Sequence, residues 1–281
     1  MRYFDTQDNR IIECTDKTIV TADIPDGIEE ISENAFVGCK NLVSVDFPPS
    51  LKKIGDGAFY GCTKLAQIDL SYVRILGAYS FSECLSLKSV ILGGNIGYLP
   101  NGVFSDCVKL EKINLSESIT YIGCDCFKRC VSINEFKSDG VMEIDNGAFE
   151  SCENLYGFSL PPSLLHISPD AFANCNNLND ITVGNRYIHI DKKAFDNTNN
   201  LLIRATQFSS AYKFALDNQY KCKPIIIDGE YRQISREAVK KLGAAGIMFQ
   251  MKPYPDSNDK VIIRFDSSQK DDIEKLLGGD C

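Results

Sequence analysis

Twelve cysteines and two histidines are the residues of this 281-residue chain whose types and spacing could do chemistry. Cys124, Cys126 and Cys130 form a C-x-C-x-x-x-C run, a spacing that can suggest thiolate-bound zinc. Cys39, Cys62, Cys84, Cys107, Cys130, Cys152 and Cys175 recur every 22 or 23 residues. In a stacked array their Cα atoms would lie about 5 Å apart, within disulfide range. His166 and His189 stand 23 residues apart, with Glu143 the same interval before them. Two imidazoles and a carboxylate can bind a metal or sense pH. No nucleophile motif, phosphate loop or metalloprotease helix is present. Gly243-Ala244-Ala245-Gly246 follows a helical stretch rather than opening one, so it reads as a C-cap and turn.

The elements that must carry these residues come from an internal period. Phe36, Phe59, Phe81, Phe104, Phe127, Phe149, Phe172 and Phe195 lie 22 or 23 residues apart. Three residues after each stands a ladder cysteine, or Thr198 in the eighth repeat. Six after comes Leu42, Leu65, Leu87, Leu110, Ile133, Leu155, Leu178 or Leu201, and five before comes Ile31, Ile54, Leu76, Leu99, Ile122, Ile144, Ile167 or Ile190. A small residue usually precedes the Phe, as at Ala35, Ala58 and Ala148.

Each period reads as one coil. Leu42, Val45 and Phe47 give the inward positions of a short strand, and Pro48-Pro49-Ser50 a turn. A second segment then turns Leu51 and Ile54 inward and Lys52 and Lys53 outward, and Gly55 opens the next corner. Ala-Phe-x-x-Cys is too short for a regular helix and is expected to be a helical turn. Coils of this size are stable only when stacked. Eight of them at about 4.8 Å per strand span on the order of 40 Å.

The columns also decide how the reactive residues read. The ladder cysteines share their slot with Thr198, are odd in number and point the same way, which favours reduced core packing over disulfides. Cys130 belongs to the ladder and Cys126 fills the small slot, leaving only Cys124 at a usually polar, exposed position. His166 and His189 continue a column occupied by Glu30, Lys53, Ile75, Tyr98, Tyr121 and Glu143, so an ordinary exposed column is the plainer reading. No catalytic residue, metal or cofactor is called for.

The pattern Ile-Gly-x-x-Ala-Phe-x-x-Cys-x-x-Leu-x-x-Ile-x-Leu-Pro-x-Ser resembles the BspA-like leucine-rich repeats over about 18–204, and 52–70 is close to an ideal copy. The resemblance implies a leucine-rich-repeat solenoid of α/β class with a parallel sheet on one face. It also implies a bacterial or protozoan surface protein, with adhesion or protein binding as its role. Fold does not fix function, however.

Four segments are expected. Residues 1–24 form an N-terminal cap and partial repeat. Ile11–Cys14 and Thr18–Val20 flank Thr15-Asp16-Lys17 as a hairpin, while Ile19, Ala22 and Ile24 take the Leu, Val and Phe columns. Residues 25–204 form the eight-repeat solenoid, which ends where Arg204 falls in an inward column. Residues 205–223 hold a serine-capped helix. Residues 224–281 form a small β-α-β-β-α module, of α+β type, that serves as a cap or binds a partner. Its expected elements are a strand at Ile225–Ile227, a helix over 235–242 ended by Gly243, strands at 247–251 and 261–265, and a last helix opened by an Asp266/Gln269 capping box.

The net charge of −8 and pI near 4.9 argue against a nucleic-acid partner. No apolar run is long enough for membrane insertion. Met1–Arg10 lacks a secretory apolar region, which places the chain as given in the cytoplasm, or at the cell surface if it is a fragment or leaves by another route. By elimination, function falls to the outward positions of the strands. Those expected to meet a partner are Asp46, Asp69, Lys112, Asn114, Glu135, Lys137 and Asp180, with Tyr156 as an aromatic anchor. A protein partner is expected. A glycan on an adhesive surface is the alternative, for which stacked Tyr98 and Tyr121 are the one hint.

Overall fold

A computed structural model describes residues 3–206, 209–224, 230–247, 249–254, 257–265 and 269–277. The chain winds into a parallel β-solenoid in which every coil contributes to two ladders. The longer ladder holds β3 (Thr21–Asp23), β5 (Ser44–Asp46), β7 (Gln67–Leu70), β9 (Ser89–Leu92), β11 (Lys112–Asn114), β13 (Glu135–Lys137), β15 (Gly157–Leu160), β17 (Asp180–Val183), β19 (Leu202–Ala205) and β20 (Lys221–Pro224). The shorter-stranded ladder holds β2 (Arg10–Cys14), β4 (Glu30–Ile31), β6 (Lys53–Ile54), β8 (Ile75–Leu76), β10 (Tyr98–Leu99), β12 (Tyr121–Ile122), β14 (Glu143–Ile144), β16 (His166–Ile167) and β18 (His189–Ile190). The expected segment around Leu51 and Ile54 is therefore a strand in its own right.

Apolar side chains fill the space between the ladders. The eight repeat phenylalanines are buried and stacked, with neighbouring ring centroids 4.7–5.9 Å apart and planes within 19°. Both ends of the stack are covered by aromatic rings. Phe4, on β1 (Phe4–Gln7), packs on Phe36 at 5.6 Å. Phe214, on α1 (Ser210–Asp217), packs on Phe195 at 6.2 Å, and Tyr220 does so at 6.3 Å. Ser209 caps α1 by accepting from the Tyr212 amide, as its position before the apolar run predicts.

The Phe corners are tight turns instead of the helical turn expected. Asn34 and Gly38, on either side of Phe36, have φ of 56° and 70°, a left-handed conformation that ends any helix. This aims the amides of Asn34, Phe36 and Gly38 at the carbonyls of Asp56, Ala58 and Tyr60 in the next coil, at 2.7–2.9 Å. The corner is thus a third line of hydrogen bonds between coils. Close approach also explains the glycine after the inward Ile. A Cβ on Gly77 would lie 2.3 Å from the Asp56 nitrogen and the Gly55 carbonyl carbon.

The cysteine ladder has a specific role in this core. Each thiol from Cys62 to Cys175 donates to the carbonyl of the Phe in the preceding coil at 3.1–3.4 Å. Thr198 Oγ1 does the same to Phe172 at 3.0 Å, so Cys and Thr share the slot as small donors. Cys107→Ser keeps a donor and is expected to stay within about 1 kcal/mol of the native chain in thermal denaturation. Cys107→Val keeps the bulk but leaves the Phe81 carbonyl only the longer 3.4 Å bond from the Cys84 amide, costing about 0.5–1.5 kcal/mol more. Equal losses for both substitutions would remove the hydrogen bond from the account.

Two expectations about the ends are corrected. The N-terminal hairpin is made by β1 and β2 across Asp8-Asn9, not across Thr15-Asp16-Lys17. Asp8 and Asn9 have φ of 50° and 60°, the left-handed pair that a two-residue hairpin loop requires. Asp16 instead accepts from the amide and hydroxyl of Thr18 in a turn that leads from one ladder to the other. At the far end, Arg204 does not stop the pattern. Ile181 pairs with Ile203 and Thr182 with Arg204, a shift of 22 residues, so Ile203 and Ala205 face inward and Arg204 outward. The ladder then runs on to β20.

Beyond it, β21 (Glu230–Ser235), β22 (Phe249–Tyr254) and β23 (Ser257–Phe265) form an antiparallel sheet in the order β21-β23-β22, with α2 (Arg236–Ala244) and α3 (Lys270–Leu277). Ala238, Leu242, Phe249, Ile263, Phe265 and Ile273 make a small core of their own. The helix runs through Gly243 to Ala244, and Gly246, with φ of 79°, lies in the turn that follows. The strand expected at Ile225–Ile227 lies outside the described residues, as does Asp266 of the expected capping box.

Candidate functional site

The longer ladder projects every second residue outward, because side chains alternate along a strand. On β5, β7 and β9 the inward Val45 and Ile68 are buried while Asp46, Gln67, Asp69, Ser89 and Ile91 are exposed. Ser44, Asp46, Gln67, Asp69, Ser89 and Ile91 line a shallow depression of about 220 Å³. Register places Asp23 beside Asp46, and Asp69 follows in the same column on β7. Three aspartates therefore stand in a row at the N-terminal end of the face. Asp69 also accepts from the Ser71 amide at 2.9 Å, which holds its carboxylate against the strand end.

The middle of the face is mixed. β11 and β13 pair Lys112 with Glu135 and Asn114 with Lys137. Asn114 and Lys137 are exposed, whereas the side chains of Lys112 and Glu135 lie outside the described residues. Tyr156, just before β15, is 62% exposed, and Ile91 is 57% exposed. Asp180 does not stand free as expected. The Arg204 guanidinium donates to both its carboxylate oxygens, with Nε 2.8 Å from each. Sequence reasoning missed Arg204 and Asp23 as members of the face. The signal for Asp23 was its place between the inward Ala22 and Ile24. That for Arg204 was the apolar alternation of Ile203 and Ala205.

Elsewhere the residues singled out for chemistry are held by the core. Cys126 and Cys130 are buried. Cys124 is half-buried, not free, and donates to Asp145 at 3.1 Å. Burial and the Asp145 carboxylate push its thiol up to about 11, away from thiolate reactivity at neutral pH. Asp145 also accepts from the Tyr121 hydroxyl, which together with the backbone amide of Asn146 keeps its carboxyl below the usual range despite partial burial. Among the described residues, no group of three or more His, Cys, Asp or Glu is disposed to hold a metal ion, and no helix is long and apolar enough to cross a membrane.

The family model described as BspA type leucine rich repeat region matches residues 13–134 and 142–250, with 6 copies. The chain belongs to this family. The match begins within the hairpin strand β2 and ends within β22, further at both ends than the 18–204 over which the columns carry the resemblance. Among solved structures, this BspA-type protein is similar to a leucine rich cell surface protein from Faecalibacterium prausnitzii A2-165. Identity is 16% over 81% of this chain and 93% of that one, with a TM-score of 0.48. It is also similar to a leucine-rich repeat protein from Eubacterium ventriosum ATCC 27560, at 25% identity over 64% of this chain and 43% of that one, with a TM-score of 0.47. A leucine rich repeat protein of T. pallidum gives 19%, 79%, 95% and 0.37. None of the curated proteins matches the chain.

Proposed function

We propose that this BspA-type chain is a non-enzymatic scaffold that binds a protein partner across the outer face of its longer ladder. One observation carries the reading: the outward positions of the stacked longer-ladder strands form a face with its charge sorted along it. Asp23, Asp46 and Asp69 form one end, Lys137 lies in the middle, and Arg204 pairs with Asp180 on the rungs before β20. Exposed Ile91 and Tyr156 lie between as apolar anchors. Ten rungs at about 4.8 Å make a platform roughly 43 Å long, enough for a protein interface that needs no deep pocket. Rigid stacking holds these side chains at fixed spacing, so a partner meets a preformed surface and loses less to ordering on binding.

The test is a combined reversal, Asp46→Lys, Asp69→Lys, Lys112→Glu and Lys137→Glu, in the full chain. These positions lie on the outer face, so the melting temperature is expected to hold within a few degrees. A partner captured by the native chain is expected to lose at least a hundredfold in affinity. Undiminished capture by the reversal would place the partner elsewhere on the molecule.

A glycan is the second reading, and Tyr98 favours it. Its exposed ring lies beside a depression of about 320 Å³ lined by Arg10, Glu30, Lys53 and Asp56 on the opposite ladder. An aromatic face flanked by charged and polar groups suits sugar stacking. Binding on a glycan array that disappears with Tyr98→Ala would move the function to that ladder.

A further inference from the structure

On the outer face of the shorter-stranded ladder, β16 and β18 set His166 and His189 in register as direct neighbours. Their imidazole centroids are 4.9 Å apart and their planes are tilted by 30°. Neither ring has a hydrogen-bond or ion-pair partner among the described residues. Four ring nitrogens are thus unspent on one small patch of rigid sheet. A tetrahedral ion bound at about 2.0–2.1 Å by two nitrogens needs them about 3.3 Å apart. With centroids 4.9 Å apart on neighbouring strands, both imidazoles are within reach of one ion once the side chains turn a nitrogen of each toward it. The strands hold the two Cα atoms at the spacing of paired β-residues, so little is lost in ordering the ligands.

We infer that His166 and His189 form a two-imidazole site for a late first-row divalent cation such as Ni2+ or Zn2+. Imidazole suits these ions. Glu143 lies one rung from His166, and Lys192, Lys213 and Asp217 line the depression beside His189. No third His, Cys, Asp or Glu closes the shell among the described residues. The ion therefore keeps positions open toward solvent, where water or a donor from another molecule completes it. This sets the site apart from a closed structural zinc centre, and it lies on the ladder opposite the proposed partner face.

Calorimetric titration of the full chain with Ni2+ at pH 7.5 tests this. The chain would carry Cys124→Ser and Cys222→Ser, which remove the two half-buried thiols, and Cys281→Ser, so that no other accessible thiol competes for the ion. One equivalent of Ni2+ is expected to bind. Affinity should fall at least tenfold with either His166→Gln or His189→Gln alone, and at least tenfold at pH 5.5, where protons compete for the rings. Paramagnetic broadening in amide spectra is expected to centre on β16 and β18. Absence of binding at about 1 mM Ni2+ would overturn the site. So would undiminished binding in the double histidine variant, or broadening centred elsewhere.

Discussion

Phe127→Ala is expected to lower the stability of the chain by about 3–5 kcal/mol, the range for deleting a fully buried phenylalanine. Phe127 lies in the middle of the stack, 5.6 Å from Phe104 and 5.1 Å from Phe149, so its loss opens a void that touches three coils. The coils cannot close on that void, because the ladders on two sides and the turn hydrogen bonds at the corner fix their spacing. For a chain of this size the change amounts to a melting temperature lower by roughly 10 °C. Because each coil contacts only its neighbours, amide exchange should speed up most in the coils around Phe104, Phe127 and Phe149. A loss under about 1 kcal/mol, or one spread evenly over the chain, would mean that the stack does not bear the stability assigned to it.

The second large effect is alkaline unfolding. Cys14, Cys39, Cys62, Cys84, Cys107, Cys126, Cys130, Cys152 and Cys175 are all buried, and burial raises every one of these thiols. Cys39 and Cys175 are pushed up to about 12. In the unfolded chain a thiol ionises near 8.5. Between these values the folded chain keeps protons that the unfolded chain has released, so stability falls as pH rises. The contribution is full below about pH 8.5 and is lost progressively toward pH 12. Each thiol removes up to about 1.4 kcal/mol per pH unit, and nine acting together remove on the order of 10 kcal/mol per unit. That exceeds the stability of an ordinary domain within one to two units. Circular dichroism at rising pH should show a native chain at pH 8 and cooperative loss between about pH 9.5 and 11. Thiolate absorbance should appear in the same transition. Thiolate forming well before the fold is lost would contradict the burial of the ladder.

Much of this was legible in the sequence because the repeat is strict. Phe spacing gave the eight stacked coils, and two-residue alternation placed Asp46, Gln67 and Asp69 outward, as found. What escaped has physical reasons. The second ladder has strands of only two residues in most coils, too short for an alternation to declare itself. The thiol-to-carbonyl bonds join residues 25 or 26 apart, although Thr198 in a cysteine column already pointed to a shared donor. Arg204 was misplaced by one residue, and a single-residue slip exchanges the faces of a strand. The hairpin was set at Thr15-Asp16-Lys17 because a turn does occur there, while Asp8-Asn9 carried the stronger hairpin signal. Nothing local distinguishes a solvated sheet face from one that meets a partner, and outward charges such as Asp46 and Lys137 fit either role.

Carbodiimide footprinting of carboxylates, with and without a captured partner, tests the binding face most directly. Asp46 and Asp69 are exposed on the longer ladder, and Glu143 is exposed on the other. The account predicts that a partner slows modification of Asp46 and Asp69 at least several-fold and leaves Glu143 unchanged. Protection of Glu143 with Asp46 and Asp69 still fully reactive would contradict it.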